Sequence, residues 1–178
     1  PIFWVAGDDH DFAEANHAAW LRPDGTLHVE TLPDRPLDAA LRPMSREPLG
    51  AGIEPALRAL ATDLAVRDGH PEVLQWLRAH FRPEATLAAA SGAALAELLA
   101  PLGVLCLDGS HHALKAKGAP VVRRALEEAS GLEAALVRRA AALAEARAHP
   151  GVSVGDVATL VMLDGKECRD RLVLNGLG

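Results

Sequence analysis

The sequence contains no tyrosine, and its three tryptophans and three phenylalanines amount to 3% of 178 residues. With so few rings, a core has to be built from Leu, Val and Ala, and little is left for bases to stack on. Positive charge is also in deficit, 18 Lys and Arg against 24 Asp and Glu, for a formal charge of −6. Nucleic acid is therefore not an expected partner. Cysteine is scarce: Cys106 and Cys168 cannot form a disulfide framework, and a reduced, cytoplasmic chain is the simplest expectation. No run approaches the roughly 18 consecutive apolar residues of a membrane span, and no basic start followed by an apolar segment suggests a signal peptide, so no membrane partner is expected.

What is present is 49% apolar and 24% charged, the balance of a folded domain with material for a core. The chain opens on Pro1 rather than Met and runs directly into Ile2 to Ala6, a bulky segment that predicts an inner strand. No neighbour is encoded before that strand, so the sequence is expected to be a piece of a longer protein. Gly7 and the acidic stretch Asp8 to Asp11 end it. From Asp11 the spacing predicts a helix, with Phe12, Ala15, Ala19 and Trp20 near one face, Asp11 and Glu14 at its start and Arg22-Pro23-Asp24-Gly25 as its stop. Residues 26–31 alternate like a short strand with no evident partner. Pro33, Pro36, Pro43 and Pro48 mark residues 32–50 as a connector.

Helical patterns follow over residues 53–66, 72–81 and 86–99. A second inner strand spans 104–107 and closes on Asp108-Gly109-Ser110-His111-His112. An Ala-rich helix is predicted from about 114 to 147, with possible breaks at Gly118 to Pro120 and at Gly131. Segments 157–163 and 170–174 flank Asp164-Gly165 as a β-hairpin. The expected class is α/β, divided into a core strand, turn and helix (1–31), a connector with helical segments (32–100), a core strand with a long helix (101–150) and the hairpin (151–178).

Both strands end in a polar turn containing histidine. In open α/β sheets, ligands bind beyond the carboxyl ends of the strands, so the two turns are candidate walls of one site. Asp8, Asp9, His10 and Asp11 place three carboxylates and an imidazole in four consecutive residues, with Glu14, Asn16 and His17 close behind. Crowded carboxylates raise one another's pKa and favour a protonated imidazole, a setting for acid–base work. Two other readings stay open. On a helix, His10, Glu14 and His17 would fall at i, i+4 and i+7, and Glu14-x-x-His17 has the spacing of carboxylate–histidine metal sites. A metal-dependent hydrolase is then the alternative, although a single copy of the motif gives no ground for a resident metal. The third reading is a non-catalytic helical interaction module in which Asp11 is merely a cap. His111, His112 and Lys115 read as solvated residues, and Trp4, Trp20, Trp76 and Cys106 as packing. Gly50-Ala51-Gly52 lacks both the spacing and the lysine of a phosphate loop, so no cofactor-binding residue can be named.

The stretch from Pro1 to His17 closely resembles the signature of the bacillithiol biosynthesis cysteine-adding enzymes, cysteine ligases that complete that thiol. Similar landmarks follow in order at 43–50, 82–87, 102–108 and 119–126, so the resemblance covers nearly the whole chain. Its most specific part is Asp9-His10-Asp11-Phe12 with Asn16 and His17. The sequence departs from the family at Asp8, where Glu is usual, and at Gly109 to His111, where a Pro-Ser-Asp-like turn is usual. The Gly-Gln-Gln opening and the coiled-coil ending of the family's longer chains are not in it. The resemblance implies part of a Rossmann-like core, similar to the nucleotidyltransferase fold of class I aminoacyl-tRNA synthetases, with inserted helical segments, in an internal fragment inactive by itself. It also implies an amide bond between cysteine and glucosaminyl-malate, ATP as the activating cosubstrate, and a homodimer through the coiled coil. On that reading His10 stabilises developing charge or moves a proton, and Asp9 and Asp11 orient it or hold the substrate amine. Gly7, Asp8, Asn16, His17 and Asp108 then bind substrate.

Overall fold

The computed structural model describes residues 1–35 and 42–149, together with the backbone of 161–163 and 169–171. It divides into two units, Pro1–His111 and His112–Gly178.

In the first unit, β1 (Ile2–Val5) and β4 (Leu105–Asp108) pair in parallel, from Ile2 opposite Leu105 to Val5 opposite Asp108. Parallel strands need a long crossover. This one carries α1 (Phe12–Ala15), the strands β2 (His17–Leu21) and β3 (Leu27–Thr31), and the helices α2 (Ile53–Leu64), α3 (His70–His80) and α4 (Leu87–Leu99). Both predicted core strands thus form and lie side by side. They are not inner strands here: among the described residues each has only the other as a strand partner, and Ile2 (61%), Trp4 (57%) and Leu105 (66%) are exposed.

The helix expected from Asp11 to Trp20 lasts a single turn. Asn16 closes α1, and His17–Leu21 becomes β2, antiparallel to β3 with His17 opposite Thr31 and Leu21 opposite Leu27. The residues expected to stop a helix instead reverse the chain. Gly25 takes φ +83°, open to glycine without a steric penalty, and the Asp24 carboxylate accepts from the Thr26 N–H (2.9 Å) and hydroxyl (2.7 Å). The hairpin supplies the missing partner of residues 26–31. It is anchored on α2 by Trp20, whose Nε1 donates to Asp63 at 2.8 Å.

The proline-rich connector also does more than link. Pro43, Met44 and Leu49 are buried, and Met44 and Leu49 join Ile53, Leu57, Leu87, Ala88 and Ala90 in the core, with Val5, Phe12 and Phe81 packed against it. Backbone bonds hold this segment to the entry of α4: Leu49 N–H to the Ala85 carbonyl (2.9 Å) and Leu87 N–H to the Glu47 carbonyl (2.8 Å). Thr86 caps α4 by accepting from the Ala89 N–H at 3.2 Å. Of the expected Leu, Val and Ala, leucine and alanine are buried here with Met44 and Ile53, while valine enters only as the partly buried Val5.

In the second unit, α5 (His112–Glu127) runs through Pro120, and α6 (Ala129–Glu145) follows. The break falls at Glu128, which leaves helical dihedrals (φ −102°, ψ 16°), rather than at Gly118 to Pro120 or Gly131. Pro120 removes one backbone bond without ending the helix. Most of the hairpin expected over 157–174 lies outside the described residues. The backbone of β5 (Val161–Leu163) pairs antiparallel with that of β6 (Arg169–Arg171). Among the described residues no helix is long and apolar enough to cross a membrane.

Candidate functional site

Parallel pairing of β1 and β4 sets Val5 opposite Asp108, so the two polar turns leave the sheet next to each other. The Gly109 N–H donates to the Val5 carbonyl at 3.0 Å and ties the second turn to the first strand. Gly7 is buried, and a Cβ there would lie 2.8 Å from Asp108 Cγ. Only glycine lets the Asp108 carboxylate lie this close over the first turn. The same carboxylate accepts from the Ser110 N–H at 2.8 Å, which fixes its direction.

The first turn closes by a bond from the Asp9 N–H to the Ala6 carbonyl (2.9 Å). Asp9 Oδ1 accepts from the His10 N–H at 2.7 Å and lies 3.6 Å from His10 Nδ1, while His10 Nε2 lies 3.8 Å from Asp11 Oδ1. The imidazole therefore sits between two carboxylates, about a third exposed (32%).

A strap from the connector laces the back of this turn. Met44 N–H donates to the Asp9 carbonyl (2.7 Å) and Ser45 N–H to the Gly7 carbonyl (2.8 Å). The Arg35 guanidinium donates to the His10 carbonyl at 2.9 Å and lies 4.4 Å from the centre of the Phe12 ring. Buried Glu47 receives both Arg35 (3.7 Å) and Arg42 (3.5 Å). Sequence reasoning missed Arg35, Met44, Ser45 and Glu47. The available signal was that Met44, Ser45 and Glu47 fall in the stretch 43–50, which resembles a family landmark although it reads locally as a bare connector; Arg35 lies outside it.

Asn16 and His17 lie elsewhere. Asn16 is buried and fastens the end of α1 to the exit of β3, its carbonyl accepting from the Leu32 N–H at 2.7 Å and its side-chain amide reaching the Leu32 carbonyl at 3.4 Å. Both residues border an apolar cavity of about 270 Å³ between the β2–β3 hairpin and α2–α4, whose lining includes Trp20, Leu57 and Phe81 but neither the Asp8 to Asp11 turn nor Asp108. The expected substrate-binding set thus separates into two places.

The helical alignment of His10, Glu14 and His17 does not form, because α1 ends at Ala15 and His17 starts β2. The geometric basis of the metal-hydrolase reading is lost with it. Ligand-capable atoms of Asp9, His10 and Asp11 do lie within 4.8 Å of one another, a grouping that exposed acidic turns often show without an ion. Trp4, expected to pack, is exposed, with its indole over the Gly109 backbone.

A family profile described as "Bacillithiol biosynthesis BshC, N-terminal Rossmann-like domain" matches residues 1–176. Curated relatives carry the name "Putative cysteine ligase BshC". The one from Koribacter versatilis is 34% identical over 93% of this chain and 30% of its own length, and that from Solibacter usitatus 33% identical over 92% and 30%. The relative from Salinibacter ruber is 29% identical over 72% of this chain and 23% of its own. The chain thus spans under a third of the length of these relatives. The profile covers nearly every residue, including the Asp9-His10-Asp11 turn at the end of the parallel strand pair, and the chain therefore belongs to the bacillithiol biosynthesis BshC family, in the part that forms its N-terminal Rossmann-like domain.

Proposed function

We propose that the full-length protein joins the carboxyl group of cysteine to the amine of glucosaminyl-malate, with ATP as the activating cosubstrate. A free carboxylate does not condense with an amine in water, so one of its oxygens first attacks a phosphorus of ATP, forming a mixed acyl–phosphate anhydride as a P–O bond of ATP breaks and pyrophosphate or ADP leaves. The amine nitrogen then forms the new bond to the carboxyl carbon, the activating group leaves, and the amine's surplus proton needs an acceptor. His10 is that acceptor, with Asp9 and Asp11 balancing the imidazolium. Gly7, Asp8 and Asp108 form the facing wall, and Asn16 and His17 act from the neighbouring apolar cavity. The observation that carries this reading is the His10 imidazole held between two carboxylates where β1 and β4 end together, in a chain of this family. The assembly we propose is a homodimer, formed by a coiled coil outside this sequence.

Replacing His10 by Ala in the full-length protein should lower turnover about 10²- to 10⁴-fold while thermal unfolding is unchanged. Unaltered product formation would remove His10 from the chemistry. Omitting ATP from the assay should abolish amide formation, and product in its absence would remove the nucleotide from the scheme.

A further inference from the structure

One guanidinium gathers the segments that shape the His10 turn. Arg35 follows β3 in the chain, yet its side chain is only 4% exposed and lies under that turn. It donates to the carbonyls of His10 and Arg42, at 2.9 Å for His10, and stacks on the ring of Phe12, the first residue of α1. The nitrogen that donates to Arg42, Nη1, also lies 3.7 Å from Glu47, the end of the strap whose Met44 and Ser45 bind the carbonyls of Asp9 and Gly7. A planar, rigid fork fixes all of these directions at once, which a lysine cannot do.

Sealing a charge in this way is poor design for stability alone. Burial lowers the affinity of the guanidinium for its proton, and the Glu47 carboxylate opposes that. A packed apolar side chain of similar size would fill the same space at no electrostatic cost. The fork supplies direction instead. The backbone of His10 is held at both ends: its carbonyl accepts from Arg35 and, at 2.7 Å, from the Phe12 N–H, and its own N–H donates to the Asp9 carboxylate.

We infer that Arg35 is the positioning residue of the site: by holding the His10 carbonyl it sets the imidazole between Asp9 and Asp11. This rests on the reading of His10 as proton acceptor in the ligation, so the test has an arm that does not use the reaction. In the full-length protein, Arg35→Lys keeps the charge and loses the fork, and the double variant Arg35→Met with Glu47→Gln removes the buried pair together. Each is compared with the unaltered protein by kcat and KM, and by NMR titration of isotope-labelled histidines with His10 assigned through His10→Ala. The expected result in a folded variant is a kcat lowered about 10- to 100-fold with KM within about twofold, and a displaced His10 resonance with a changed titration midpoint. An unmoved His10 resonance in a folded variant overturns the inference whatever the rate, and so does unchanged kcat with the resonance moved. If the unaltered protein forms no amide, the ligase reading fails by itself, and the resonance alone decides whether Arg35 holds His10.

Discussion

At the level of single residues, the closest constraint in the site is between Gly7 and Asp108, which are 101 positions apart in the chain and in contact in the fold. In Gly7→Ala the added methyl has to displace the Asp108 carboxylate, which then gives up its bond from the Ser110 N–H. The expected outcome in the full-length protein is a destabilisation of about 1–3 kcal/mol in denaturant unfolding, with a disproportionate fall in amide formation. A Gly7→Ala protein of undiminished activity would show that the approach of the two turns has no part in the reaction. The His10 cluster was legible because its members are consecutive, and crowding of charge is visible without a fold. Arg35 was not, because its partners are main-chain carbonyls, the Phe12 ring and Glu47, none of which advertises an arginine in the sequence.

At the level of elements, the instructive error is the helix over Asp11 to Trp20. Phe12, Ala15, Ala19 and Trp20 fit a 3.6-residue period and not a two-residue one, so the local pattern pointed to a helix where a strand forms. The choice was made by contacts outside the segment: the ladder with β3, the stacking of Trp20 on His28 at 4.4 Å, and the Trp20 and Arg22 bonds to Asp63 on α2. Trp20→Phe keeps the packing and loses the Asp63 bond, so hydrogen exchange of hairpin amides should report a loss of about 1–2 kcal/mol there. Equal protection would show that the anchor is incidental. The turn adds a pH test. The Thr26 hydroxyl first, and then its N–H, hold the Asp24 carboxyl below its ordinary value of 3.8. Stabilisation of the turn is thus fully present above 3.8 and is lost as the pH falls through the lower folded value. Protection of the Thr26 amide should fall in that acid range, and in Asp24→Ala it should be low at every pH.

At the level of the whole molecule, the parallel pair β1–β4 leaves Ile2, Trp4 and Leu105 open, whereas parallel sheets are ordinarily covered on both faces. The chain also spans under a third of the relatives it matches. We therefore expect residues 1–178 expressed alone to form no amide from cysteine, glucosaminyl-malate and ATP under conditions where the full-length protein does. Turnover equal to that of the full-length protein would place the entire active site within this stretch. The ends of the two core strands, the helices between them expected over 53–66, 72–81 and 86–99, and the acidic histidine turn all follow from neighbouring residues, whose propensities act over a few bonds. Which strand lies beside which, where Trp20 points, how a proline-rich connector comes to brace a histidine and which glycine has to stay bare were decided by the folded chain alone. Those outcomes depend on contacts between distant segments, and a local pattern carries no record of the partner it will meet.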